Sequence, residues 1–178
     1  MTPEELLVAH GATDMEHPGG TLLAHLKRVR DQLATWGARD ALQTAGLCHA
    51  VYGTDGFPPS LVDVTTDRPL IREVVGEEAE QIIHFYASCD RRHLYPQAGA
   101  ETVDFVDRWS QLHTTLPSTL LADFWELSFA NELDIVKQSD QMRAAIGPTL
   151  WEIWAPGRPW VSAAARETFE SELAPAGA

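Results

Sequence analysis

Apolar positions recur along most of this chain at spacings of three and four, the period of a helix with one buried face. In "TLLAHLKRVRDQLATWG", Leu22, Leu26, Val29, Leu33 and Trp36 fall on one side, with Thr21 placed to cap the start and Gly37 to stop the end. At about 100° per residue, His25 lies on the flank of that face. The next helix is "RDALQTAGLCHAV", with Leu42, Ala45, Gly46 and His49 inward; its two small residues permit close approach of another helix. "GEEAEQIIHFYAS" turns Ala79, Ile82, Ile83 and Tyr86 inward. "STLLADFWELSFANELDIVKQSD" predicts a long helix with Leu120, Phe124, Leu127 and Ile135 on its apolar face. Proline and glycine at 18–20, 56–59, 96–99, 147–148 and 156–159 mark the breaks, and "APAGA" ends the chain as a frayed tail. The expectation is an all-α, single-domain helical bundle over 1–178, with its core at about 17–140 and a C-terminal segment, 141–178, packed on that core.

Polar residues interrupt the apolar faces of three of these helices: His25, His49 and the pair Asn131 and Asp134. A buried polar group without a partner costs on the order of 1–3 kcal/mol, so each needs one. They satisfy one another, or they hold a metal or a ligand. A satisfied core histidine is the plain alternative for either imidazole.

The run "HLKRVRDQLATWGARDALQTAGLCHAV" resembles the core of the HD-domain superfamily of metal-dependent phosphohydrolases. "RPLIREVVGEEAEQIIHFYA" is similar to the segment that follows in the branch acting on guanosine tetraphosphate. "LSFANELDIV" resembles the helix carrying that superfamily's last aspartate. The wording "HAVYGTDGF" is closer to HD-like proteins of the DUF6817 type, in which a small residue replaces the aspartate of the His-Asp pair. The resemblance implies a helical bundle of HD-domain type, with His25 and His49 as the two ligands that carry over. It also implies two losses: Ala50 stands where the paired aspartate would be, and Asn131 where the last aspartate would be. The acidic pair of the guanosine-tetraphosphate branch would fall at Gly53 and Thr54.

Two imidazoles without a carboxylate are a poor match for the hard cations of phosphoester hydrolysis. Asp134, one turn from Asn131, is a candidate replacement, as are Asp55 in "YGTDG" and His17 in "EHPGG". His84 projects off the inner face of its helix and ranks below these. Tyr52 and Thr54 stand at the rim of the same stretch, where a tight turn built on Gly53 and Gly56 is the bland reading. Arg68, Arg72, Arg91 and Arg92 suit an anionic substrate, although ion pairing within an acidic protein explains most such arginines. Glu77, Glu78 and Glu80 open a helix and complement its dipole. Trp151, Trp154 and Trp160 supply packing for the C-terminal segment, or else line a pocket or dimer surface.

Thirteen basic and twenty-six acidic side chains give a net charge of −13, which disfavours nucleic acid or an anionic membrane as partner. The two cysteines, Cys48 and Cys89, are expected as reduced thiols. No signal-peptide pattern and no long apolar run is present, so a cytoplasmic protein is expected.

The functional expectation is a small-molecule enzyme on a degenerate HD-like scaffold. His25, His49, Tyr52, Asn131 and Asp134 are its catalytic candidates, and His17, Thr54, Asp55, Arg68 and Arg72 its substrate-binding candidates. It works either by histidine acid/base chemistry without a cofactor or with iron, zinc or manganese on His25 and His49. Two alternatives are a binding protein without turnover and a phosphohydrolase with a rebuilt site. The partner is a small molecule, and a homodimer is compatible with the sequence.

Overall fold

The computed structural model describes residues 1–57 and 59–175, so Pro58 of the "YGTDGFPP" stretch and residues 176–178 of the expected tail lie outside the described residues. The chain divides into two compact units, Met1–Cys89 and Asp90–Ala178.

The first unit opens with α1 (Pro3–Ala9). Thr2 and Glu5 form a reciprocal cap: Thr2 Oγ1 accepts from the Glu5 N–H at 3.2 Å, and Glu5 Oε2 accepts from the Thr2 N–H at 2.7 Å. A two-residue hairpin, β1 (Glu16–His17) and β2 (Gly20–Thr21), leads into α2 (Leu22–Thr35). Thr21 caps α2 as expected, its hydroxyl accepting from the Ala24 N–H at 3.2 Å. Leu22, Leu26, Val29, Leu33 and Trp36 are all buried. α3 (Asp40–Cys48) packs along α2, and Gly46 is the point of close approach. A Cβ there would lie 2.5 Å from Leu33 Cδ1, inside contact distance of a side chain that is itself fully buried. α4 (Arg68–Val75) and α5 (Glu77–Ser88) complete the unit. Leu6, Leu7, Leu22, Leu26, Ala45, Ile71 and Ile83 belong to one apolar core, with Ile82 only partly buried at its edge.

The second unit starts with the short α6 (Arg91–Leu94) and an antiparallel hairpin, β3 (Thr102–Val106) and β4 (His113–Pro117). α7 (Ala122–Lys137) follows, buried on nearly all sides from Phe124 to Val136, with α8 (Asp140–Trp154) and α9 (Ala163–Leu173) packed against it. Trp154 is fully buried beside Trp125, Phe129 and Tyr95, and Trp151 stacks on Phe169 at 5.7 Å. Trp160 Nε1 donates to the Ala98 carbonyl at 2.9 Å.

The chain is mostly helical, in line with the expected fold class, and the two small hairpins depart from a purely α reading. Three details also differ from the sequence expectation. Residues 118–121 form a 3-10 turn rather than the first turn of α7, which leaves Leu120 71% exposed. Ile135 is half-buried, while Leu133 and Val136 take the core positions. α8 runs through Gly147-Pro148 instead of breaking there; Pro148 faces outward, and Gly147 sits where a Cβ would meet Leu173 Cδ2 at 3.4 Å. Among the described residues, no helix is long and apolar enough to cross a membrane.

Candidate functional site

A line of aromatic rings runs through the first unit, built from three elements that the sequence spaces widely. α2 buries His25 on the flank of its apolar face, at 1% exposure, and α3 ends on His49, at 3% exposure. The β1–β2 hairpin brings His17 onto the pair. Arg28 on α2 fixes that hairpin by donating from Nη2 to the Pro18 carbonyl at 3.2 Å and from Nη1 to the Gly19 carbonyl at 3.3 Å. The His17 and His25 rings stack with centroids 4.0 Å apart, and His25 meets His49 edge-to-face at 5.3 Å. Tyr86 from α5 closes one end against His49 at 5.4 Å, and Phe57 closes the other against His17 at 5.5 Å.

His49 has a defined protonation pattern. Its Nδ1 lies 2.8 Å from the Gly46 carbonyl, which can only accept, so Nδ1 carries the proton in the neutral ring. Nε2 is then the nitrogen with a lone pair, able to accept a proton or bind an electrophile.

The same unit holds a charged network. Glu80 is fully buried and takes two hydrogen bonds from Arg68, Nε to Oε1 at 2.7 Å and Nη2 to Oε2 at 2.9 Å. Arg72 Nη2 adds a longer one at 3.4 Å, and the Tyr52 hydroxyl donates to Oε1 at 3.1 Å. Burial alone would raise the Glu80 carboxyl, but the hydrogen bonds and charge of Arg68, with help from Tyr52 and Arg72, hold it below the ordinary glutamate value. Burial, then the adjacent Glu80 charge, push the Tyr52 phenol well above its usual range. Burial also pushes the Cys48 thiol up to about 12, and both cysteines are unbridged.

The structure thus brings His17, His25 and His49 together and engages Tyr52, Arg68 and Arg72 with Glu80. Arg72 also pairs with Glu77 at 2.9 Å. Thr54 and Asp55 lie in a tight turn in which Thr54 and Phe57 exchange backbone hydrogen bonds at 2.9 and 3.0 Å, with Gly56 at φ 93°. Thr54 is buried and Asp55 half-buried. His84 is half-buried, its ring 6.3 Å from that of Tyr52. Asn131 and Asp134 lie on α7 in the second unit, both buried; Gln138 Nε2 donates to Asp134 Oδ1 at 3.1 Å. By sequence, Glu80 belongs to a helix start and Tyr86 to an inward face, and neither is among the expected site residues. A glutamate in the first turn of a helix is fully explained by the helix dipole, and a tyrosine on an apolar face by packing.

The hard divalent cation that the HD resemblance implies does not fit these residues. Ala50 offers no donor beside His49, and among the described residues no group of three or more His, Cys, Asp or Glu donors within 4.8 Å of one another includes His25 or His49. Two imidazoles are not a ligand set for an oxygen-seeking ion.

Residues 6–91 match the model of DUF6817, described as a domain of unknown function. No curated protein matches the chain. Among solved structures, the chain is similar to a metazoan ortholog of SpoT described as hydrolyzing ppGpp and playing a role in starvation responses. The identity is 10%, the TM-score 0.56, and the match covers 95% of this chain and 92% of that one. Together these findings support an HD-like fold.

Proposed function

We propose that the first unit is the site of a small-molecule enzyme that works by imidazole acid/base chemistry rather than by water activated on a hard cation. The observation that carries this reading is the buried His25–His49 pair, 5.3 Å apart edge-to-face, with His49 Nδ1 tied to Gly46. His49 Nε2 serves as the base toward a bound molecule, and His25 supplies or holds the second proton. A neutral imidazole is suited to both roles near neutral pH, and such proton transfer contributes roughly 100- to 10,000-fold in rate. His17 and the Thr54–Phe57 turn form the rim on this reading.

A second reading, ligand binding without turnover, is favoured by one observation. The groups expected to orient a substrate, Tyr52 and Arg68, spend hydrogen bonds on Glu80.

One experiment separates them from ordinary phosphohydrolase chemistry. The chain, stripped with EDTA, is screened by thermal shift against nucleotides, ppGpp and sugar phosphates, and each stabilising compound is followed for product. The first reading predicts product in EDTA, with rates lowered about 100-fold or more in His25→Gln and His49→Gln. Stabilisation without product supports the second. Hydrolysis of ppGpp that requires Mn²⁺ and stops in EDTA contradicts both.

A further inference from the structure

The second unit carries a separate cluster of ligating side chains, untouched by the imidazole reading. In the β3–β4 hairpin, Val106 lies opposite His113. Asp104 is two residues before Val106, so Asp104 and His113 share a face on a diagonal. α6 lays His93 over that face. Asp104 Oδ2 lies 2.8 Å from His93 Nε2 and 2.7 Å from His113 Nδ1, and the two rings stand at 84° with centroids 5.6 Å apart. All three donor atoms lie within 4.8 Å of one another.

The arrangement is braced from behind. Gln97 receives the Asp104 N–H at 2.8 Å and donates to the carbonyls of Asp104, at 3.1 Å, and His93, at 2.9 Å. Asp90 caps α6 by accepting from the His93 N–H at 3.1 Å, while its own N–H donates to the Val106 carbonyl at 3.0 Å. The backbone of both elements is therefore held in place without any ion.

We propose that His93, Asp104 and His113 form a binding site for a zinc-class divalent ion. Two imidazole nitrogens and one carboxylate oxygen are a donor set for Zn²⁺ or Co²⁺ rather than for Mg²⁺ or Ca²⁺, which take mostly oxygen. Bonds of 2.0–2.2 Å in a tetrahedron place donors about 3.3 Å apart. The observed pairs, joined through protons, need to open by roughly half an ångström to admit the ion. Each imidazole then presents a bare nitrogen to the metal and keeps its proton on the other nitrogen. The ligands are 39%, 40% and 60% exposed, so a fourth position is open to water or to an anionic group. This site is distinct from His25 and His49 and does not depend on the function proposed for them.

The test uses the whole chain, untagged and stripped with EDTA, titrated with Co²⁺ by visible absorption and with Zn²⁺ by calorimetry. The expected result is one equivalent bound at low micromolar Kd or tighter, with the tetrahedral Co²⁺ bands. Affinity falls about tenfold or more in His93→Ala, His113→Ala and Asp104→Ala, and about tenfold in Gln97→Ala, which removes only the brace. His25→Ala and His49→Ala leave it unchanged. His113 is well exposed, so His113→Ala retains the native circular dichroism and separates lost binding from lost folding. Absence of a bound ion overturns the proposal. So does an affinity that survives both His93→Ala and His113→Ala, or one that falls only in His25→Ala or His49→Ala.

Discussion

Arg68 clasps Glu80 through two parallel hydrogen bonds, Nε to Oε1 at 2.7 Å and Nη2 to Oε2 at 2.9 Å, and the carboxylate it holds has no exposed surface. Arg72 reaches the same carboxylate at 3.4 Å from a side chain that is 44% exposed. The two arginines therefore carry unequal weight. Arg68→Ala strands a buried charge and is expected to cost about 3 kcal/mol. Arg72→Ala removes a long, solvated contact and is expected to cost at most about 1 kcal/mol. Urea unfolding of the two variants checks the order, and equal costs would show that the network is not centred on Arg68.

The same network sets a pH dependence. The folded-state pKa of Glu80 lies below the ordinary value of 4.5, so its stabilisation is complete above that value and is lost as pH falls through the lower, folded-state value. The urea midpoint should thus decline on acidification below 4.5, and Glu80→Gln should flatten that part of the curve. A Glu80→Gln curve parallel to the wild-type one would contradict the assignment.

The helices α2 and α3 were legible because their apolar spacing is regular and their caps are ordinary ones. His25 and His49 were legible for the complementary reason, as polar residues on otherwise apolar faces. Glu80 was hidden by its position: an acidic residue in a first helical turn already has a sufficient cause. β3 and β4 were missed because five-residue strands bearing an aspartate, a histidine and several threonines offer too little alternation to stand out from loops. His93, Asp104 and His113 meet only through hairpin register and the placement of α6, so no spacing along the chain announces them. Leu120 failed for a local reason, since a 3-10 turn rotates it out of the helical phase of α7.

Cys48 and Cys89 have no accessible surface, and burial raises the Cys48 thiol to about 12. Neither should react with a disulfide reagent in the native protein near neutral pH, because the thiolate is the reactive form. Both should react at once in denaturant. Rapid labelling of one thiol in the native state would place that cysteine nearer the surface than described.

Ser162 both caps α9 and binds Glu126. Its hydroxyl accepts from the Ala165 N–H at 3.2 Å and donates to Glu126 Oε1 at 2.7 Å, while its N–H donates to Oε2 at 2.8 Å. Ser162→Ala removes the cap and leaves a buried carboxylate with one bond fewer, for an expected cost of about 2 kcal/mol. Ser162→Asp would keep a capping oxygen but set it against Glu126, and should not rescue stability. Thermal unfolding of both variants checks this.

The first unit is proposed to act through imidazole rather than through water on a bound hard cation. The long-range proton–nitrogen NMR spectrum of the histidine rings of the His113→Ala chain, whose second-unit ion site is disabled, recorded before and after one equivalent of Mn²⁺, tests it most directly. The predicted result is a proton on His49 Nδ1, facing the Gly46 carbonyl, with the His25 and His49 signals unchanged by the paramagnetic ion. Loss of both signals on adding Mn²⁺, with their return in EDTA, would contradict the account and make this a metal-dependent site.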